Sequence, residues 1–375
     1  MIGPRGRYVV SIENTTVLIM AAGTGGHVFP ALSIAQKLQE RNVRTEWMGT
    51  HQGMENRLLE GSGIKIHAVS AKGLKGKGIA RLVAAPFMLV QALVQSMRVL
   101  SKVNPDCVLG MGGFVSGPGG LAAKLTGRKL VIHEQNAVPG STNKLLAKIA
   151  NLVFEAFPNT FPESSKVVHT GNPLRKEIAA LTGLTRNFKG LGRPLQILVL
   201  GGSQGALAIN EALPAVLADW PAATRPNLLH QTGDRTLERT QALYKEKGLD
   251  ADEGITVVPF ISDMAHAYTW ADLVICRSGA STVSEIAAVG LPSILVPYPH
   301  HSDQQQTHNA NWLVQAGAAL LLEQRDLTAA ALLALLVELD GNRSKLQQMS
   351  DSAKSIAVCD ADELIANHCL EIAHA

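Results

Sequence analysis

Aromatic residues make up only 4% of the 375 positions, so the core has to be built from Ala, Val, Ile and Leu. Cysteine is scarce as well. Cys107, Cys276, Cys359 and Cys369 form neither a CxxC pair nor a metal-ligand spacing, and cysteines so far apart in a long chain point to a reducing compartment. Long lipid-like runs are missing. Val17 to Ala22 is too short for the core of an export signal, and the longest apolar stretch, Ile79 to Met97, is interrupted by Arg81, Pro86, Gln91 and Gln95. A cytoplasmic location is therefore expected. The sequence has no GxxxxGK[ST], which excludes a P-loop NTPase, and the candidate second strand Arg44 to Met48 ends in Gly49-Thr50-His51, where a dehydrogenase would place an acidic ribose ligand. The glycine-rich motifs hold no cluster of Asp, His and Glu, and Asp303 stands alone, so neither a metal nor a cofactor is expected.

Net charge is small, +3, which argues against a nucleic-acid binder. The two halves differ sharply, however. Residues 1–172 carry 19 Lys+Arg against 9 Asp+Glu, a balance of +10, and residues 173–375 carry 15 against 22, a balance of −7. The basic half is expected to face something anionic. Lys72, Lys75, Lys77 and Arg81 stand beside the apolar segment Ile79 to Val90, with Gly73, Gly76 and Gly78 between the lysines. A cationic collar next to an apolar helix suits the surface of an anionic bilayer; a solvated loop before an ordinary core helix is the alternative reading.

Short apolar runs alternate with amphipathic stretches, the pattern of an α/β chain with parallel sheets. At about 150 residues per domain the length suits two domains. Four units of strand, glycine turn and helix stand out: Thr16 to Ala21 with Gly23-Thr24-Gly25-Gly26-His27, Asp106 to Leu109 with Gly110 to Gly117, Gln196 to Leu200 with Gly201 to Gly205, and Asp272 to Cys276 with Arg277 to Thr282. Their spacing suggests two Rossmann-like domains, 1–172 and 173–375, divided near Gly171-Asn172-Pro173. In that arrangement the carboxyl ends of both parallel sheets face a deep cleft. Glycine lets backbone N–H groups approach an anion, and the following helix N-terminus favours a diphosphate. Glu285, in the first turn after the fourth glycine turn, is the carboxylate placed to accept from a ribose diol; helix-dipole pairing is its ordinary alternative.

Ala22-Gly-Thr-Gly-Gly-His-Val-Phe-Pro30, Gly110-Met-Gly-Gly-Phe-Val-Ser-Gly-Pro118, His133-Glu-Gln-Asn136, Gly171-Asn-Pro-Leu-Arg175, Gly201-Gly-Ser-Gln-Gly205, Cys276-Arg-Ser-Gly-Ala280 and Gln304-Gln-Gln306 resemble, in order, the signatures of the MurG family, glycosyltransferase family 28. The resemblance covers nearly the whole chain from Val17 to beyond Gly317. It implies a GT-B fold, with a last helix that can cross back to the first domain. The implied activity is metal-independent, inverting transfer of GlcNAc from UDP-GlcNAc to the 4-hydroxyl of the MurNAc unit of lipid I, giving lipid II. It further implies a peripheral position on the cytoplasmic face of the bacterial inner membrane, with Lys72, Lys75, Lys77, Arg81 and the adjacent apolar segment as the contact.

Carried over residue by residue, the resemblance places Thr24, Gly25 and Gly26 near the transferred sugar and diphosphate, and Asn136 on the GlcNAc. Arg175 and Ser203 lie on the diphosphate side, and Phe260 and Ile261 by the uracil. Ala280, Ser281, Thr282, Val283, Ser284 and Glu285 cradle phosphate and ribose, while Gln305 and Gln306 reach the sugar hydroxyls. Gly112, Gly113, Gly117 and Gly119 suit the acceptor's own diphosphate. His27 is the first candidate base because imidazole titrates near neutrality, with phosphate binding or turn orientation as its alternatives. Glu134 is the second candidate base. His133 reads as structural, and Arg277 as a further offset to the UDP charge. Two departures from the family pattern are Ala22 for its first glycine and Ser281 for a leucine; Met1 to Asn14 matches no motif. Rival expectations are a UDP-GlcNAc 2-epimerase or another UDP-sugar transferase of the same architecture, and a non-catalytic nucleotide-sugar sensor.

Overall fold

The computed structural model describes residues 15–71, 79–188, 192–202, 205–301 and 303–375; for residues 79–84 the description is of backbone only. Of the sequence features singled out above, Met1 to Asn14, Lys72, Gly73, Lys75, Gly76, Lys77, Gly78, Ser203, Gln204 and the Arg81 side chain lie outside it. The chain divides into two compact units. One comprises Met1–Gln135, Pro139–Pro173 and Asp360–Ala375; the other comprises Asn136–Val138 and Leu174–Cys359.

The first unit is built on a seven-stranded sheet of β1 (Thr16–Met20), β2 (Arg44–Gly49), β3 (Lys65–Ala68), β4 (Cys107–Gly110), β5 (Lys129–Glu134), β6 (Leu152–Glu155) and β7 (Val167–His169). Their order is β3-β2-β1-β4-β5-β6-β7, and every pairing is parallel. A parallel sheet is covered on both faces, which explains why β1 is apolar without interruption. Its side chains alternate between two cores. Val17, Ile19 and Ala21 pack with Ile34, Leu38, Ile365 and Leu370; Leu18, Met20 and Ala22 pack with Met48, Leu100, Leu130 and Leu146. The first of these cores is closed by helix Ala361–Ala373, the last helix of the chain, which lies against helix Gly25–Glu40 and is tied to it by the Arg41–Glu363 ion pair.

The second unit repeats the plan with β8 (Gln196–Leu200), β9 (Asn227–Gln231), β10 (Ile255–Val258), β11 (Leu273–Cys276), β12 (Ser293–Leu295) and β13 (Ala319–Leu321). Again all pairings are parallel, in the order β10-β9-β8-β11-β12-β13. In both sheets the strand order reverses beside the first strand, between β1 and β4 and between β8 and β11. Ligands of open parallel sheets bind at the carboxyl end of that reversal, and all four glycine turns lie there.

Helices start earlier in the turns than the apolar pattern suggests. Helix Gly25–Glu40 takes in Gly25 and Gly26, and helix Ala280–Ala288 takes in Ala280 to Thr282, so these residues form the first turns themselves. Apolar periodicity cannot mark a first turn built of glycine and other small residues.

Ile365 is wholly buried in the first unit's core although nearly two hundred residues separate it from Pro173. Ile365→Ala should lower the unfolding free energy of that unit by about 2–5 kcal/mol in urea melts. A loss below about 1 kcal/mol, within the range of an exposed site, would mean that the last helix does not belong to this core.

Candidate active site

In the first unit the turns after β1 and β4 meet backbone to backbone. Gly113 has φ +79°, and a Cβ there would lie 2.1 Å from the Ala22 carbonyl oxygen. Only glycine permits that approach. Thr24 precedes its helix in an extended conformation and makes no side-chain cap bond, which leaves the first-turn amides of Gly25 and Gly26 for an anion. His27, one residue further on, is half-buried. Its Nδ1 lies 3.1 Å from Gln135 Oε1, and Gln135 Nε2 donates to the Met111 carbonyl at 2.9 Å. The structure thus assembles Thr24, Gly25, Gly26, His27, Gly112 and Gly113 at one place.

The neighbours on β5 are occupied differently. His133 is fully buried, with Nε2 2.9 Å from the Gly171 carbonyl. Burial, opposed by that hydrogen bond, pulls its pKa from 6.5 to about 4. Glu134 is 3% exposed, and its Oε2 accepts from Gly140 N at 3.0 Å and Asn143 Nδ2 at 2.9 Å. The carboxylate therefore holds the 134–143 loop in shape. Gly119 serves packing, since a Cβ there would lie 2.3 Å from Met20 Sδ, and Gly117 faces the Thr142 methyl.

The second unit gathers the residues expected at the donor. Glu285, on helix Ala280–Ala288, is 7% exposed and is held by three donors. Arg175 Nε reaches Oε1 at 2.8 Å and Nη2 reaches Oε2 at 3.1 Å, while the Tyr268 hydroxyl donates to Oε2 at 3.0 Å. Burial weakens the charge on Arg175, but the pairing with Glu285 outweighs it and raises its pKa. Burial and the facing carboxylate push the Tyr268 phenol well above its usual value, so it remains a donor. A carboxylate accepts about four hydrogen bonds, so Glu285 keeps room for a diol.

Asn136, Gln305 and Gln306 come together around Asn309, a buried side chain that the motifs did not single out. Asn309 Oδ1 accepts from Ala137 N at 2.8 Å, and its Nδ2 lies 3.3 Å from Asn136 Oδ1 and 3.2 Å from the Ser278 carbonyl. Gln306 Oε1 accepts from Tyr298 N at 2.9 Å, its carbonyl accepts from Ser278 Oγ at 2.7 Å, and Gln305 Nε2 reaches the Val138 carbonyl at 3.4 Å. Phe260 is exposed and Ile261 half-buried; the adjoining Pro259 carbonyl accepts from Gln231 Nε2 at 3.0 Å. That same Gln231 clamps the Gly202 peptide, accepting from its N–H at 3.0 Å and donating to its oxygen at 3.1 Å.

The 280–285 segment is mixed. Gly279 precedes it extended and without a side-chain cap, which suits a phosphate. Val283 is fully buried and can offer only backbone; Ser284 Oγ bonds the Ala280 carbonyl at 3.0 Å; Ser281 Oγ is buried with no hydrogen-bond partner among the described residues; and Thr282 is half-buried. Arg277 is already committed, to the Val296 and Pro297 carbonyls at 3.0 Å each and to Gln324 Oε1 at 2.6 Å. Tyr268, Asn309 and Gln231 have no signature in the sequence, because each acts through a neighbour and carries no motif of its own; Gln135 lies within the His133–Asn136 motif but was given no role there.

Residues 17–155 match the glycosyltransferase family 28 N-terminal domain and residues 196–365 its C-terminal domain. The chain belongs to glycosyltransferase family 28. A relative from Azotobacter vinelandii is 50% identical over 95% of this chain and 98% of its own length. It is named UDP-N-acetylglucosamine--N-acetylmuramyl-(pentapeptide) pyrophosphoryl-undecaprenol N-acetylglucosamine transferase. The crystal structure of Acinetobacter baumannii MurG superposes with a TM-score of 0.81 at 42% identity, covering 95% of this chain and 99% of that one. A UDP-GlcNAc 2-epimerase from Neisseria meningitidis, bound to UDP-GlcNAc, gives a TM-score of 0.65 at 14% identity over 95% of this chain and all of that one, a likeness of fold alone.

The depressed pKa of His133 has a definite sign. Between pH 6.5 and about 4 the unfolded chain binds a proton that the folded chain refuses, so this contribution to stability is whole above 6.5 and is lost as pH falls through about 4. The His133 imidazole resonances should stay unchanged from pH ~7.5 to pH ~5.5. A midpoint near the usual value of about 6.5 would show that the ring is not buried as described.

Proposed function

We infer that this chain transfers GlcNAc from UDP-GlcNAc to the MurNAc unit of lipid I, making lipid II. The observation that carries the reading is the 50% identity with the Azotobacter vinelandii transferase across nearly the full length of both chains. The epimerase likeness extends only to the fold and gives no support to an epimerase reaction.

Transfer with inversion needs a proton removed from the acceptor 4-hydroxyl as the new glycosidic bond forms and the bond to UDP breaks. His27 takes that proton. Its ring is half-buried and carries a single hydrogen bond among the described residues, whereas the Glu134 carboxylate is bound into its own loop. Glu134 is therefore better suited to shaping the 134–143 loop than to the base role. Negative charge develops on the departing diphosphate, where the open first-turn amides of helix Ala280–Ala288 and Arg175 favour it. Glu285, held by Arg175, receives the ribose hydroxyls. Phe260 and Ile261 lie against uracil, Asn136, Gln305 and Gln306 reach the sugar hydroxyls, and Ser203 joins the diphosphate side. Thr24, Gly25 and Gly26 lie by the transferred sugar and diphosphate, and the 110–117 turn serves the acceptor's diphosphate.

The chain sits on the cytoplasmic face of the inner membrane through its first unit. Among the described residues no helix is long and apolar enough to cross a bilayer. Phe87, Leu89, Val90 and Val94 of helix Ile79–Val103 are nonetheless exposed, and Phe114 lines the same small hollow as Met88 and Leu89. An apolar surface on a helix that Lys72, Lys75 and Lys77 precede in sequence, in a half of net charge +10, suits anionic lipid.

Incubation with UDP-GlcNAc and a short-chain lipid I analogue should add one N-acetylhexosamine to the acceptor by mass spectrometry. His27→Ala should slow that transfer by about 10²–10⁴-fold, and a loss within about threefold would remove His27 from the base role. Glu285→Ala should chiefly raise KM for UDP-GlcNAc, so an unchanged KM would take it out of the ribose site. Phe87→Ser should weaken sedimentation with phosphatidylglycerol vesicles while turnover of the soluble acceptor is kept; equal vesicle binding would contradict the membrane surface.

A further inference from the structure

We propose that Gln135 is a positioning residue that fixes His27 in the tautomer with its proton on Nδ1, leaving Nε2 as the basic nitrogen. The catalytic consequence rests on the reading of His27 as the base; the tautomer itself does not.

The assignment follows from which atoms can only accept. Gln135 is 2% exposed, and its side chain touches two polar partners, the Met111 carbonyl at 2.9 Å and His27 Nδ1 at 3.1 Å. A carbonyl has no proton to give, so the amide nitrogen must be the atom facing Met111, and Oε1 is then the atom facing His27. An amide oxygen accepts only. The hydrogen bond therefore requires a proton on His27 Nδ1, and the neutral ring carries its lone pair on Nε2. A reversed amide would set oxygen against oxygen at Met111 and lose that contact.

Both ends of this relay are anchored. The Met111 N–H donates to the Met20 carbonyl at 2.9 Å, which fixes the Met111 peptide to β1, and Asn172 Nδ2 donates to the Gln135 carbonyl at 3.0 Å. The imidazole lies on bare backbone: at Gly112, with φ +92°, a Cβ would fall 2.8 Å from His27 Nδ1 and 2.9 Å from Cε1. Rotation of the ring is thus limited by Gly112 and rewarded only where Nδ1 meets Gln135.

An amide in this place orients the ring without charge. A carboxylate would stabilise the imidazolium and hold the proton; Gln135 leaves the basicity of Nε2 to its surroundings. Neither β1 nor the 110–117 turn carries an ionisable side chain, and on His27's own helix the next one is Lys37. On β5, burial keeps His133 neutral, and the Glu134 carboxylate is taken up by Gly140 and Asn143.

The test uses full-length protein labelled with 15N-histidine, with His27 assigned by the signal lost in His27→Asn. Long-range 1H–15N spectra above the titration range should show the wild-type ring protonated at Nδ1; protonation at Nε2 would overturn the proposal without any variant having to fold. Gln135→Glu should raise the His27 pKa by roughly 1–3 units, and Gln135→Leu should populate both tautomers and cut kcat by about tenfold with KM for UDP-GlcNAc held. A His27 pKa unmoved in Gln135→Glu would count against Gln135. If that pKa rises while the acid limb of kcat/KM stays in place, the tautomer assignment stands and the base role of His27 falls.

Discussion

The close approach of Gly113 to the Ala22 carbonyl is the constraint on which the first unit's site depends. A side chain at Gly113 would push the β4 turn off the β1 turn. Separation of these turns would carry Met111 and Gly112 away from His27, removing the surface on which the imidazole lies and the carbonyl that orients Gln135. Two conformational needs, positive φ and absence of Cβ, coincide at Gly112 and Gly113, and this explains a glycine pair where one glycine would make a turn. Strand order supplies the rest. Because β4 lies directly beside β1 at the reversal of the sheet, the two turns have no alternative but to emerge side by side.

The second unit meets a different physical demand, holding a buried carboxylate beside a helix first turn that carries no side-chain cap. Glu285 would be costly to bury alone, and Arg175 and Tyr268 offset that cost through three hydrogen bonds. The same contacts fix the orientation of the carboxylate. Gln231 performs a similar service for the glycine turn after β8. It links the Gly202 peptide to Pro259, so that the turn and the segment around Phe260 are held by one side chain.

Much of the fold was legible in the sequence because a parallel sheet buried on both faces leaves uninterrupted apolar strands, and glycine turns punctuate them. The alternation of Val17, Leu18, Ile19 and Met20 between two cores needs no further signal. The first turns of the helices were not legible, since Gly25, Gly26 and Ser281 carry no apolar period. Tyr268 and Asn309 were equally hidden, and Gln135, though inside the His133–Asn136 motif, gave no sign of its role. Each is a buried polar residue whose meaning comes from a partner on another element, and no local pattern separates it from an ordinary buried amide or phenol. Arg277 shows the converse: its motif suggested charge for the leaving group, but its guanidinium is spent on carbonyls of its own unit.

The central claim is that this chain carries out acceptor-dependent sugar transfer with its own amides and side chains bearing the diphosphate charge. The most direct measurement is the rate of UDP release from UDP-GlcNAc, with and without a lipid I analogue, in EDTA. Release is expected only when the acceptor is present, at a rate that EDTA leaves unchanged. Release or epimerisation of UDP-GlcNAc without acceptor, or a rate abolished by EDTA and restored by a divalent cation, would contradict it.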